Sequence, residues 1–202
     1  MILDHFAIAA ETLEEGRAYV EATLGVALRP GGKHTHFGTH NMLLGLSDGL
    51  YLEVIAKDPD APSPDYPRWF DLDNFSGGPR PTTWICRTDD LNDTLRSFPD
   101  AGTPVSLARG DLRWQMAVPK GGALPLDGLF PALIEWQCAS HPAALLPPSG
   151  CALKSLVISH PDAMALGNGL CPTMNDKRVV FETGPPGLRA EIEAPSGLKV
   201  LQ

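Results

Sequence analysis

The chain has 202 residues, 43% apolar and 20% charged, enough for one domain or a fused pair of half-domains and too apolar for disorder. A net charge of −8 without any basic stripe argues against nucleic-acid partners. No apolar run approaches the roughly 20 residues needed to cross a bilayer, so no membrane partner is expected either.

Frequent glycine and proline, 20 of each, imply short elements and many turns. The cysteines at 86, 138, 151 and 171 form no C-x-x-C pair, and a basic region followed by an apolar stretch is missing at the N-terminus. The expectation is a cytoplasmic protein with reduced, small apolar thiols rather than a disulfide framework.

In chain order, residues 2–9 (ILDHFAIA) read as a strand and 11–24 as an amphipathic helix. Thr12 and Glu15 stand in capping-box spacing at its start, and Gly25 is placed to stop it. Strands follow at 39–46 and 50–56, joined at Ser47-Asp48-Gly49 by a tight turn. Residues 57–80, rich in proline, aspartate and glycine, read as a long connection, and Trp69, Phe70 and Phe75 within it predict packing rather than free movement.

The rhythm then repeats: a strand at 82–87, a helix at 89–98, and strands at 104–109, 112–118 and 131–138. HFAIAAETL (5–13) lies against TWICRTDDL (83–91), and LYLEVIA (50–56) against ALIEWQC (132–138). His5 to Glu53 spans 48 positions and Thr83 to Glu135 spans 52, so a duplicated βαβββ unit is the simplest explanation. The fold class expected is α+β, with a first module at 1–57, a connection at 58–80, a second module at 81–140, and a partial third unit at 150–202. In that last unit 153–159, 160–169, 178–183 and 188–194 read as strand, helix, strand and strand.

Glu53 lies inside LYLEVIA and Glu135 inside ALIEWQ. A carboxylate in an apolar strand is costly to bury unless it is paired, protonated or bound to a metal; an exposed carboxylate on a wet sheet face is the other reading. His5 is a candidate of the same kind, or a hydrogen-bonded core histidine. In HTHFGTH, alternation would put His34 and His36 on one face of a strand, but the flanking glycines favour a loop or an edge; His40 could line a cavity. Arg113 and Trp114 could bind an anionic or planar ligand if either faces inward, or be a surface arginine and a core plug. The P-loop and G-x-G-x-x-G after a strand are both missing, so no nucleotide cofactor is expected.

The N-terminal LDHFAIAAETLEEG, the run Gly32, His34, Gly38, Thr39, Asn41, and YLEVIA resemble the glyoxalase-like group of the vicinal-oxygen-chelate superfamily. RWQMAV, DGLFPALIEWQ, His141-Pro142 and LRAEIEAPSG extend the resemblance over nearly the whole chain. It implies paired βαβββ modules whose mixed sheet curls into a cup, with metal ligands on the first and last strand of each module. Carried over, His5, Glu53 and Glu135 are the metal ligands, and Thr83, a poor ligand for a transition metal, stands at the fourth position. The resemblance implies a divalent cation (manganese, zinc, nickel, iron or magnesium) and lyase, isomerase or dioxygenase chemistry on a small oxygenated substrate, with Glu53 or Glu135 as general base. His40, Arg113, Trp114 and Thr83 are its candidate substrate contacts. The alternative is a metal-free protein that sequesters a small ligand in the same cup. A homodimer is compatible with either.

Overall fold

The structure is a computed structural model that describes residues 1–174 and 176–202. The first module runs β1 (Ile2–Ala9), α1 (Leu13–Leu24), β2 (Arg29–His34), β3 (Thr39–Gly45), β4 (Tyr51–Lys57). The second runs β5 (Arg80–Arg87), α2 (Leu91–Ser97), β6 (Thr103–Arg109), β7 (Leu112–Val118), β8 (Ala132–Trp136). Their strands form one curled sheet of eight in the order β2-β3-β4-β1-β5-β8-β7-β6. In each module the first strand pairs with the last in parallel, and β1 joins β5 antiparallel. The paired α+β modules expected from the repeat are therefore present.

The helix boundaries follow from local chemistry. Thr12 caps α1 with both capping-box bonds made, and Gly25 ends it with φ 71°, in the left-handed region. Within α1, Gly16 lets the helix lie directly on β4: a Cβ there would fall 2.4 Å from Val54 Cγ1 and 2.9 Å from Ala10 Cβ.

β2 is the strand the sequence reading left out, because RPGGKH carries a proline and two glycines. It forms at the sheet edge, where one side of the backbone needs no partner and proline is tolerated.

The sheet separates two apolar clusters. On the convex face, Phe6, Leu52, Val54, Trp84 and Leu133 meet the helices and a second sheet. That second sheet is made by β9 (Ala152–Ser159), β10 (Val179–Glu182), β11 (Gly187–Ala194) and β12 (Gly197–Leu201), in the order β10-β9-β11-β12. A short α3 (Pro142–Leu145) leads into it, and α4 (Ala163–Leu170) links β9 to β10. The C-terminal unit thus has the element order of a full βαβββ run, but β9 lies between β10 and β11, a different winding from the two modules.

On the concave face, Ala7, Ile55, Ile85, Trp114, Met116 and Ile134 form the other cluster. The connection closes over it: Trp69 is buried there, stacked on Phe37 at 4.5 Å, and Phe70 and Phe75 pack beside it. The aromatics of the connection are thus accounted for.

Gly16→Ala tests the helix–sheet contact. Alanine favours an isolated helix by about 1 kcal/mol, but forcing a methyl into this contact costs roughly 1–3 kcal/mol. The expected outcome is a lower urea midpoint with an unchanged m-value.

Candidate functional site

The concave floor carries a chain of buried charges. A register shift in β1 between Leu3 and His5 lies at Asp4, so that its side chain reaches inward together with that of His5. Asp4 is fully buried. One of its oxygens lies 2.6 Å from His5 Nδ1. The other accepts from Trp136 Nε1 at 3.1 Å and stands 2.9 Å from His141 Nε2. On the far side of the imidazole, His5 Nε2 is 3.6 Å from Glu53 Oε2 and 3.3 Å from the Tyr51 hydroxyl, whose ring stacks on His5 at 4.1 Å.

Glu53 is held from the opposite direction. Asn41 Nδ2 donates to Glu53 Oε1 at 2.5 Å, while Asn41 Oδ1 accepts from Arg109 Nη1 at 3.0 Å. The same guanidinium nitrogen lies 3.2 Å from His34 Nε2, and His34 Nδ1 lies 3.1 Å from the Thr39 hydroxyl. Arg109 comes from β6, the far edge of the sheet, and spans to β2 and β3 at the near edge. Trp69, Phe70, Trp114, Met116, Ile134 and Trp136 complete the wall.

These contacts push the titratable groups apart. Burial alone would raise Asp4, but hydrogen bonds from His141 and His5 outweigh it and hold the carboxyl well below the usual carboxylate range. Burial would likewise lower His5, and is outweighed by Asp4 and Glu53, which raise it. Glu53, against the effect of its own burial, is pulled down to about 2, chiefly by its hydrogen bond and charge interaction with His5. At His34 burial outweighs the raising effect of the Glu53 charge and takes the imidazole down to about 4, with Arg109 acting in the same direction as burial. Burial and the neighbouring Asp4 and Glu53 charges keep the Tyr51 phenol protonated. The floor therefore favours the protonated form of His5 between two carboxylates, beside His34, whose neutral form is favoured.

Of the residues singled out from sequence, His5, His34, Glu53 and Trp114 meet in this cleft. Glu135 does not join them. In β8 the concave side chains are those of Ala132, Ile134 and Trp136, whereas Glu135 turns to the convex side, where its carboxylate accepts from the Leu91 backbone N–H at the start of α2 at 2.8 Å. Glu53 stands beside Ala7 in β4, and Ala132 stands beside Ile85 in β8, so matching LYLEVIA with ALIEWQC displaces Glu135 by an odd number of positions, which exchanges the faces of a strand. Thr83 is on the concave face, but in the row Glu53–Ala7–Thr83 it lies two strands from Glu53, about 10 Å away at ordinary strand spacing.

His40 alternates with Asn41 and so points out of the cup; its electrostatic neighbours are Asp58, Lys33 and Asp60. Arg113 is exposed and donates to the Gly110 and Leu112 carbonyls. His34 and His36 do not act as a pair: His34 is buried in the cleft, while His36 is exposed and stacks on Tyr66 at 4.9 Å. Asp4, Tyr51, Arg109 and Trp136 were missed. The apolar run holding Asp4 and His5 was the available signal for the first; Arg109 had none, since its place depends on two sheet edges meeting.

The donor set is a poor fit to a divalent metal. His5 Nε2 and Glu53 face one point, but Glu135 is on the other side of the sheet, Thr83 is out of reach, and the Arg109 guanidinium approaches His34 Nε2. Among the described residues, no group of three histidine, cysteine, aspartate or glutamate side chains is arranged to hold a metal ion. Nor is any described helix long and apolar enough to cross a membrane.

A family model for a glyoxalase-like domain matches residues 3–171. A hypothetical protein from Staphylococcus aureus superposes with a TM-score of 0.61, covering 92% of this chain and 87% of its own at 12% identity. Methylmalonyl-CoA epimerase from Mycobacterium tuberculosis gives a TM-score of 0.45, covering 68% of this chain and 88% of its own at 20% identity. At these identities the likeness is one of fold. No curated protein sequence matches the chain.

The two histidines of the cleft should titrate on opposite sides of the ordinary value, which imidazole nitrogen shifts would resolve by NMR. His5 is raised above 6.5, so its stabilising contribution is complete below 6.5 and is lost as pH rises through its folded value. His34, lowered to about 4, acts with the opposite sign: stability falls as pH drops through 6.5 toward 4, and it adds no slope at alkaline pH. Glu53→Gln removes an anion from His5; its folded value should fall, and the loss of stability at alkaline pH should become shallower than in wild type.

Proposed function

This chain belongs to the glyoxalase-like domain family, within the vicinal-oxygen-chelate superfamily, and from that premise we propose that it is a small-molecule enzyme of the isomerase or lyase kind. In this reading it moves a proton on an oxygenated substrate with its own side chains. The observation that carries it is the buried His5–Glu53 pair, 3.6 Å apart and facing a cleft walled by aromatic rings.

In the resting protein Glu53 is too acidic to be a strong base. Its low value comes from His5, however, while its burial acts in the opposite direction. A substrate entering between the two groups weakens their contact and lets burial raise the carboxylate toward a useful basicity. Glu53 then takes a proton from the carbon beside a carbonyl. His5, kept protonated by Asp4, donates to the oxygen on which negative charge develops. Arg109 uses Nη1 on Asn41 and beside His34; its remaining N–H groups suit a substrate carboxylate. Trp69, whose buried indole N–H has no partner among the described residues, suits a further acceptor.

Metal-assisted chemistry, ring cleavage included, would need a donor set larger than the His5–Glu53 pair, and no step is assigned to a metal. The second reading, ligand sequestration, is favoured by one observation: the pair is tightly satisfied as it stands, as a purely structural ion pair would be.

A deuterium-exchange assay separates the two. Small 2-oxo and 2-hydroxy carboxylates and simple thioesters are incubated with the protein in D2O, and loss of the C–H signal is followed by proton NMR. Wild type should exchange at least one of them, and Glu53→Gln should slow exchange about 100-fold or more while remaining folded. Binding without exchange across the panel would establish sequestration instead. Arg109→Gln should weaken carboxylate binding by about 10- to 100-fold, the loss of a charge-assisted hydrogen bond, with a smaller effect at saturation.

A further inference from the structure

The cleft beside His5 and Glu53 has a volume of about 20 Å³, room for about one water molecule. The space against the acid–base pair itself is therefore small for a ligand, and a larger head needs a wall to shift. A second cavity, of about 830 Å³, lies next to it, within the roughly 300–1,000 Å³ usual for ligand pockets. It is bounded by the connection, the start of β5, the 123–129 loop and the near ends of β9, β10 and β11. Among the described residues, only Phe70 lines both spaces.

Ten of the twelve residues around the cleft lie on strands; the exceptions are Trp69 and Phe70. Trp69 is buried and fixed against Phe37. Phe70 is only partly buried, and its ring is held by stacking on Trp69 at 4.8 Å. Its backbone sits at φ 58° and that of Asp71 at φ 54°, both left-handed, a conformation that a bulky side chain such as that of Phe70 rarely adopts. Leu126 and Asp127 adopt the same unfavourable region, φ 56° and 53°, in another segment bordering the large cavity. Strain of this kind persists at ligand clamps and moving segments, where a second conformation lies close in energy.

We propose that Phe70 is a gate and that the 830 Å³ cavity is the outer chamber of the same site. The ligand is then a two-part molecule. A small oxygenated head passes Phe70 into the cleft, and a body too large for the cleft stays in the chamber against Phe75, Pro81, Leu124 and Val157. Arg80 and Arg189 face Asp71, Asp127 and Glu182 around that chamber, two positive charges against three negative, with Thr82, Thr83 and Ser159 beside the apolar groups, so the body mixes apolar and polar groups and carries no net negative charge. The role given to the head rests on the acid–base reading above; the passage past Phe70 does not.

The test uses a thiol placed in the cleft by Met116→Cys, in a chain also carrying Cys138→Ser and Cys171→Ser. The same chain without the Met116 change is the control for the buried Cys86 and Cys151. Labelling by methyl methanethiosulfonate and by the bulkier N-ethylmaleimide is timed by mass spectrometry. Phe70→Ala should speed labelling at position 116 at least tenfold, most for the larger reagent. Phe75→Ala, on the chamber alone, should leave it unchanged, and Ser159→Trp, which fills the chamber, should slow it again in the Phe70→Ala background. Phe70→Leu, a milder change, should give an intermediate rate and guards against loss of fold. Equal labelling with and without Phe70→Ala overturns the proposal, as does a larger acceleration by Arg109→Gln, which would place the entrance between β2 and β6. Labelling requires no turnover, so a failed exchange assay with a working gate, or the reverse, tells the two ideas apart.

Discussion

Three charged side chains in the floor of a β-sheet, Asp4, His5 and Glu53, are tolerable only as a set. Each is at most 5% exposed, and an isolated charge at such a depth would neutralise or unfold its surroundings. The alternation of sign, carboxylate to imidazolium to carboxylate, replaces the water each has lost. Trp136 and His141 secure one end of the chain, and Asn41 and Arg109 the other. Both modules thus contribute to one electrostatic unit: the first supplies the charges, and the second supplies the Arg109 that helps close the cup over them.

That division explains which parts were legible in the sequence. The strand and helix pattern of each module is written in local apolar periodicity, and α1 in the Thr12–Glu15 capping box. The duplication is written in the like spacing of matched segments. Glu53 and His5 stood out because ionisable groups interrupt apolar strands. Glu135 stood out for the same reason and turned out to serve α2, since a strand's face is fixed by register, and register in β8 depends on its pairing with β5 and β7. Arg109 and β2 were illegible for a related reason: RPGGKH becomes a strand only because an edge is available for it, and Arg109 meets His34 only because the curl of eight strands brings β6 back toward β2.

The connection between modules shows how sequence can carry an intention without its geometry. Trp69, Phe70 and Phe75 among prolines announced packing, and all three pack on the concave cluster. Nothing in the order of residues indicated that Phe70 and Asp71 would take a backbone conformation they disfavour, because that preference is imposed from outside, in part by the Asp71 N–H bonding the Gly122 carbonyl at 3.2 Å.

The separation of the two apolar clusters by the sheet has a consequence for how such a protein can change over generations. Most of the large, fully buried side chains sit on the convex side, where the helices and the second sheet cover them. Substitutions on opposite sides of a sheet that share no partners add their effects nearly independently. The reserve of stability accumulated on the back can therefore be drawn down by costly polar changes on the front, one at a time, without the chain losing its shape. A scaffold arranged in this way is evolvable in a specific sense: its chemistry and its foldability are inherited on different faces.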